Sequence, residues 1–148
     1  MNVSQIITGG QTGVDRAAMD FALEHGIPLM GWCPKGRQAE DGVIDRKYPL
    51  RETPSANYAQ RTAWNVRDAE AVMIFTRGEI TGGTALALRS AQTLAKPVLV
   101  INFVQPPDLR TVRRWLRLHQ GKKLGIGGPR ESHCPGIYSA TKEFLEKL

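Results

Sequence analysis

The sequence predicts a Rossmann-like three-layer α/β/α domain with a mostly parallel sheet. Three observations predict it. Short apolar, β-branched runs alternate with helix-length segments, the pattern of strands covered on both faces and joined by crossover helices. Glycine-rich turns follow three of the apolar runs, at Gly9-Gly10, Gly82-Gly83 and Gly127-Gly128. The chain has 148 residues, 41% hydrophobic and 23% charged, which suits one globular domain able to bury a core without disulfides.

Residues 3–8 read as a first buried strand, closed by Gly9-Gly10. From Thr12, Val14, Ala18, Phe21 and Ala22 recur at helical spacing, with Gly26 as the stop and Pro28 beyond it. Residues 27–32 form a second apolar run and a second strand. Residues 33–49 are polar and punctuated by Gly and Pro, a long loop of the kind that carries function or moves. Residues 48–53 suit a short strand, and Pro54-Ser55 opens a helix to about Asp68. Residues 71–76 are the clearest strand. An Ala/Leu-rich helix follows Thr81-Gly82-Gly83-Thr84 and runs to about Ala95. Residues 98–103 are a β-branched strand, and Asp108 caps a basic helix over 109–119. Residues 124–126 form a last short strand, and residues 137–148 a C-terminal helix.

Composition narrows the function. There is no apolar run near 18 residues, so no membrane span is expected. The N-terminus lacks the basic and apolar segments of a signal peptide, so a cytoplasmic location is expected. Cys33 and Cys134 have no metal-binding spacing and are expected to be thiols, Cys33 a structural one. The net charge of +6 is local: Arg110, Arg113, Arg114, Arg117, Lys122 and Lys123 sit in a stretch without an acid, and the rest of the chain balances. On a helical wheel the four arginines share one side, and Leu109, Val112, Trp115 and Leu116 the other. Such a stripe suits a solvated face, a subunit contact or a nucleic-acid contact, and nucleic acid is not the expected partner.

Ligands of parallel sheets sit beyond the carboxyl ends of the strands. Three glycine-rich loops fall there: Gly9-Gly10-Gln11-Thr12-Gly13, Thr81-Gly82-Gly83-Thr84, and Gly127-Gly128-Pro129-Arg130-Glu131-Ser132. Glycine admits close backbone approach, and each following helix points N–H groups and a dipole at the turn, favouring an anion by about 0.3–1 kcal/mol. Convergence of these termini predicts a phosphate site without a lysine. Tight turns also need glycine on steric grounds alone, and Thr12 and Thr84 suit plain helix caps as well as phosphate contacts. Asp15 suits the dipole of its helix; Arg16 opposes it unless an anion or an acid is near. Lys35 and Arg37 either fold over the ligand as charge partners or lie in solvent. Arg61, Trp64 and Asn65 share a helical face, Trp64 as core or as a stacking platform. There is no G-x-G-x-x-G turn and no G-K-[ST] loop, so an ordinary NAD oxidoreductase or NTPase is disfavoured.

These segments, with Gly31-Trp32-Cys33-Pro34-Lys35-Gly36-Arg37, Ala39-Glu40-Asp41-Gly42, Tyr48-Pro49-Leu50 and Arg61-Thr62-Ala63-Trp64-Asn65-Val66-Arg67-Asp68, make the chain recognisable over nearly its whole length. It resembles the molybdenum carrier protein family, within the superfamily that joins YpsA-like proteins to the LOG nucleotide hydrolases. The resemblance implies a Rossmann-like fold, a homo-oligomer (dimer or tetramer), and a phosphorylated, nucleotide-like ligand. The carrier name implies molybdenum cofactor (molybdopterin), a pterin ending in a phosphate; no dedicated metal site is expected. The residues it brings forward as binding are Gly9, Gly10, Gln11, Thr12, Gly13, Asp15, Arg16, Lys35, Arg37, Arg61, Asn65, Thr81, Gly82, Gly83, Thr84, Gly128 and Arg130.

One departure bears on chemistry. The LOG hydrolases carry Gly-Gly-x-Gly-Thr-x-x-Glu, and alignment on Gly83-Thr84 puts Ala87 at the catalytic Glu. Alanine can neither move a proton nor stabilise an oxocarbenium ion. Binding or carriage of a phosphate-bearing cofactor or nucleotide is therefore favoured. A nucleotide or ribotide hydrolase using Asp15, Glu40 or Asp41 is the alternative, and a single-stranded nucleic-acid binder the third.

Overall fold

A computed structural model describes residues 1–148. Five strands form one wholly parallel sheet: β1 (Gln5–Ile7), β2 (Leu29–Met30), β7 (Ala71–Thr76), β8 (Val98–Asn102) and β9 (Lys123–Gly127). Their order is β2-β1-β9-β7-β8, with Ile6 opposite both Leu29 and Leu124, and Ile74 opposite Gly127 and Val100. The helices are α1 (Val14–Glu24), α2 (Tyr58–Asp68), α3 (Gly82–Thr93), α4 (Leu109–Leu118) and α5 (Ile137–Glu146). The predicted Rossmann-like α/β architecture is the observed one.

The layers follow from alternation along β7, whose six residues are all buried. Ala71, Met73 and Phe75 join a core with Val14 and Phe21 of α1, Val112 and Leu116 of α4, and Ile137, Phe144 and Leu145 of α5. Val72 and Ile74 point the other way, into a smaller cluster with Val66 of α2 and Ala91 of α3. One face of the sheet therefore carries α1, α4 and α5, and the other α2 and α3.

Three expectations change in detail. The apolar run 27–32 is two strands, not one. Gly31 has φ 148°, and a Cβ there would lie 1.9 Å from the Thr8 carbonyl oxygen. The chain turns at this glycine, and β3 (Trp32–Cys33) leaves the main sheet to pair in parallel with β6 (Arg51–Glu52). The segment 33–49 is not loop throughout: β4 (Gln38–Ala39) and β5 (Gly42–Val43) form a small antiparallel hairpin. Helix α2 starts later than Pro54-Ser55, because Asn57 caps it by accepting from the Ala59 N–H at 2.9 Å.

Asp108 caps α4 as predicted, its Oδ1 accepting from the Arg110 N–H at 3.0 Å. Asp108→Ala should cost about 1 kcal/mol in urea unfolding, with the cleft described below untouched.

Sequence order hides a familiar topology. With β9 and α5 placed ahead of β1, the strands would number 3-2-1-4-5 across the sheet, the Rossmann order. The glycine-rich loops after β1 and β9 and the N-terminus of α3 then fall together at the carboxyl edge.

Candidate functional site: a cleft at the carboxyl edge of the sheet

A cleft of about 560 Å³ opens beyond β1, β9 and β7, between α2 and α3. Its floor is apolar, formed by Ile7, Val66, Val72, Ile74 and Ala87, with Gly125 between them. Its mouth is polar. Four arginines (Arg61, Arg77, Arg89 and Arg130) line it against two carboxylates, Asp15 and Glu79. The balance favours an anion.

The three glycine-rich loops are not equivalent. The first is bound into the protein. Gln11 Oε1 accepts from the N–H groups of Thr12 (3.0 Å) and Glu40 (2.9 Å), and the Gln11 N–H donates to Asp15 (3.2 Å). The Thr12 hydroxyl donates to Glu40 and accepts from the Glu131 N–H at 3.1 Å. Gly13 has φ 75°, and a Cβ there would stand 2.5 Å from the Pro129 carbonyl oxygen. The start of α1 is therefore sealed against the loop that follows β9. Gly9 and Gln11 line the cleft; Gly10, Thr12 and Gly13 do not.

The third loop caps its own helix. Glu131 accepts from the N–H groups of Gly136 (2.6 Å) and Tyr138 (3.0 Å), so the anion position of α5 is filled by the protein's own carboxylate. Gly128 and Arg130 of this loop line the cleft.

The second loop is open. Thr81 makes no side-chain cap to α3, and nothing lies within 4 Å of a Cβ built at Gly82 or Gly83. The N–H groups of Gly82, Gly83 and Thr84 have no acceptor in the chain. Thr81, Gly82, Gly83 and Thr84 all line the cleft. The Asp15 and Arg16 N–H groups of α1 and the Ser139 N–H of α5 also lack an acceptor, but of the three termini only this one presents three consecutive unsatisfied donors on residues that all line the cleft.

Beneath the mouth lies a buried ion pair. Arg61 Nη1 donates to the Gly9 carbonyl at 2.6 Å and stands 3.9 Å from Asp15. Burial raises the Asp15 carboxyl above the ordinary range, against the pull of Arg61 and the Gln11 N–H. No hydrogen bond within the chain uses Arg61 Nη2.

Several predicted binding residues do other work. Arg16 forks onto Asp41 (2.8 and 3.1 Å), which supplies the acid its helix position called for. Arg37 does not fold over the cleft. It has φ 54° and donates to four carbonyls, those of Ile44, Asp45, Tyr48 and Leu50, holding the segment before β6 together. Lys35 is exposed and also outside the cleft. Asn65 lines the cleft but brackets the backbone of Trp32, with its Oδ1 2.7 Å from the N–H and its Nδ2 2.9 Å from the carbonyl oxygen. Trp64 packs edge-on against Trp32 at 4.8 Å, away from the cleft. Cys33 is buried in the larger core, and burial pushes its thiol up. Ala87 does line the cleft, so the position that the resemblance aligns with the hydrolases' Glu brings no carboxylate to it.

The sequence reading missed Thr8, Thr76, Tyr58, Arg77, His133 and Cys134, all of which line the cleft. Thr8 and Thr76 close predicted strands, and the rule about carboxyl ends reaches them directly.

Glu40 ties the hairpin to both flanking loops. It accepts from Thr12, from the Ser132 N–H (3.1 Å) and from the Ser132 hydroxyl, and it lies 3.6 Å from Arg130. Burial alone would raise its carboxyl; these hydrogen bonds and Arg130 outweigh it and hold it below the ordinary range. A depressed carboxyl contributes stability above its unfolded pKa, and that contribution is lost as pH falls through the folded value. The stability gap between wild type and Glu40→Gln should therefore be constant above about pH 5 and shrink below 4.5, the ordinary value. Thermal melts across that range check it.

The basic helix α4 packs on the sheet face opposite the cleft. The one group of acidic and histidine side chains close enough to share an ion is Glu24, His25 and Glu146, exposed on α1 and α5, and Lys142 already pairs with both glutamates. No helix is long and apolar enough to cross a membrane.

Comparison with known proteins supports the fold. The model of the circularly permutated YpsA SLOG family matches residues 6–148. No curated protein sequence matches. The crystal structure of a protein named "Putative molybdenum carrier protein", from Syntrophus aciditrophicus SB, shares 42% sequence identity with a TM-score of 0.93, covering 98% of this chain and 94% of that one. The permutation in the family's name is visible here in the sheet, where the last strand in sequence, β9, takes the central place. The chain belongs to the circularly permuted YpsA branch of the SLOG family.

Proposed function

We propose that this protein binds or carries a phosphate-bearing small molecule, with the phosphate on the N-terminus of α3 and the remainder in the cleft between α2 and α3. The observation that carries the proposal is the open terminus: unsatisfied N–H groups at Gly82, Gly83 and Thr84 at the mouth of an arginine-lined cleft. Two or more charge-assisted hydrogen bonds there outweigh what any single side chain of the cleft offers.

The name of the Syntrophus relative points to molybdenum cofactor as the ligand. The cleft fits a flat heterocycle joined to a phosphate: the glycine terminus and Arg130 suit the phosphate, and the apolar floor at Val66, Val72, Ile74 and Ala87 suits the ring. A nucleotide has the same two parts. Arg61 and Asp15 set the polarity between them.

The hydrolytic alternative is left with Asp15 and Glu79, because Glu40 and Asp41 are bound to the hairpin and its neighbours outside the cleft. Asp15 is already engaged by the Gln11 N–H and Arg61, which suits a structural carboxylate better than a proton donor. We also infer a cytoplasmic protein, in keeping with two free thiols, and a homo-oligomer. Helix α3 supports the second inference: only Thr84 and Ala91 of its twelve residues are buried, and it borders the unpaired edge strand β8.

Protein isolated from its own cells should release a pterin or nucleotide detectable by mass spectrometry. The ligand-free protein should gain several degrees in Tm with saturating pterin phosphates or nucleotides and none with the dephosphorylated forms. Equal shifts with and without the phosphate would contradict the assignment of α3. A nucleotide panel releasing free base above the level of an Asp15→Asn control would restore the hydrolase.

A further inference from the structure

We propose that the exposed face of α4 is a sequence-independent contact surface for the phosphate backbone of nucleic acid, separate from the cleft. Arg110, Arg113, Arg114 and Arg117 are all exposed. None of them is in an ion pair, and their one hydrogen bond within the chain runs from Arg113 to the Lys147 carbonyl. They stand at i, i+3, i+4 and i+7 on one helix, so each repels the next. This arrangement costs the free protein stability unless an external anion relieves it. From Arg110 to Arg117 the helix rises about 10 Å, and Lys122 and Lys123 extend the same run of six cations without an acid. Apart from those six, the chain has fourteen basic and fourteen acidic residues, so its whole excess charge lies along this one feature.

The face suits a polyphosphate backbone better than an acidic protein. Protein interfaces have a core of apolar and aromatic anchors with charge at the rim. Here Val112 and Leu116 are buried inward, and Trp115 is half-buried with its ring against His119 at 4.7 Å. Leu118 is the only exposed large apolar side chain on the helix. Counterion release from a phosphate backbone needs no such core, and guanidinium forks pair well with phosphate oxygens. With no exposed aromatic on the helix to stack on a base, sequence preference is not expected.

Fluorescence anisotropy of the full chain with labelled 30-nucleotide single strands of unrelated sequence tests this. The expected Kd is on the order of micromolar at 50 mM KCl, alike for all sequences, and should weaken about 300-fold at 200 mM for six contacts. Arg113→Gln/Arg114→Gln/Arg117→Gln should halve the salt slope, leaving about a 20-fold loss over the same range. Its circular dichroism melt should lie at or slightly above that of wild type, since glutamine keeps helix propensity and the like-charge repulsion is relieved. Lys35→Gln, an exposed cation outside both α4 and the cleft, should bind the strands as wild type does. No binding at 50 mM KCl, a salt slope unchanged in the triple variant, or equal binding to poly-L-glutamate would overturn the proposal, the last in favour of an acidic protein.

Discussion

Arg61→Met should destabilise the fold by about 3–5 kcal/mol, the cost of leaving a buried charge without its partner. The side chains of Arg61 and Asp15 are each 10% exposed, and Arg61 also holds the Gly9 carbonyl at 2.6 Å. Methionine fills most of the volume but leaves the Gly9 carbonyl without its donor and the Asp15 charge without its counter-ion. Urea unfolding at pH 7 measures the loss. Asp15→Asn in the same chain removes the stranded charge, so the double variant should be more stable than Arg61→Met alone. Acid should help too. Asp15 is already raised by burial, and without Arg61 its folded pKa rises further. For an acid raised on folding, the penalty is present above the folded pKa and relieved as pH falls through it. The deficit of Arg61→Met relative to wild type should therefore shrink on acidification. The gap for Glu40→Gln shrinks there too, for the opposite reason, as a favourable wild-type contribution disappears.

Gly83→Asp should abolish ligand binding while leaving the fold intact. No atom lies within 4 Å of a Cβ at Gly83, so the substitution meets no clash. An aspartate in the first turn suits the helix dipole and should raise the Tm of the ligand-free protein slightly, by about 0.3–1 kcal/mol of stability. The same carboxylate sits where the phosphate is placed. Two like charges about 4 Å apart near a surface repel by roughly 4 kcal/mol, so affinity should fall about a hundredfold or more. Gly83→Ala, by contrast, should bind nearly as wild type does. Titration calorimetry with a nucleoside monophosphate or a pterin phosphate separates the two variants.

Much of the fold was legible because period and punctuation agree. Residues 71–75 are apolar at every position, Thr76 closes the run before Arg77-Gly78, and the six form β7 with those bounds. Asp108 before an amphipathic run marked the start of α4 correctly. Residues 27–32 misled because a one-dimensional apolar run does not show that Gly31 packs against the Thr8 carbonyl and turns the chain.

The site was legible in part. Glycine-rich turns marked the carboxyl edge, and Arg61 was identified from its helical face. What stayed hidden is which helix end is free. The carboxylate that closes α5 comes from Glu131, upstream of the helix, and the seal on α1 comes from Glu40 and Pro129 across the fold. Nothing local distinguishes those termini from that of α3. Arg37 looked like a ligand for the same reason: a basic residue in a long loop shows its charge but not the four carbonyls it will meet.

The most direct test is the amide spectrum of ¹⁵N-labelled protein titrated with a nucleoside monophosphate or a pterin phosphate, and separately with the unphosphorylated compound. A phosphate on α3 predicts the largest downfield shifts at the Gly82, Gly83 and Thr84 N–H groups, present only with the phosphorylated ligand. Shifts confined to the Gly127–Ser132 loop, or equal shifts with both ligands, would contradict it.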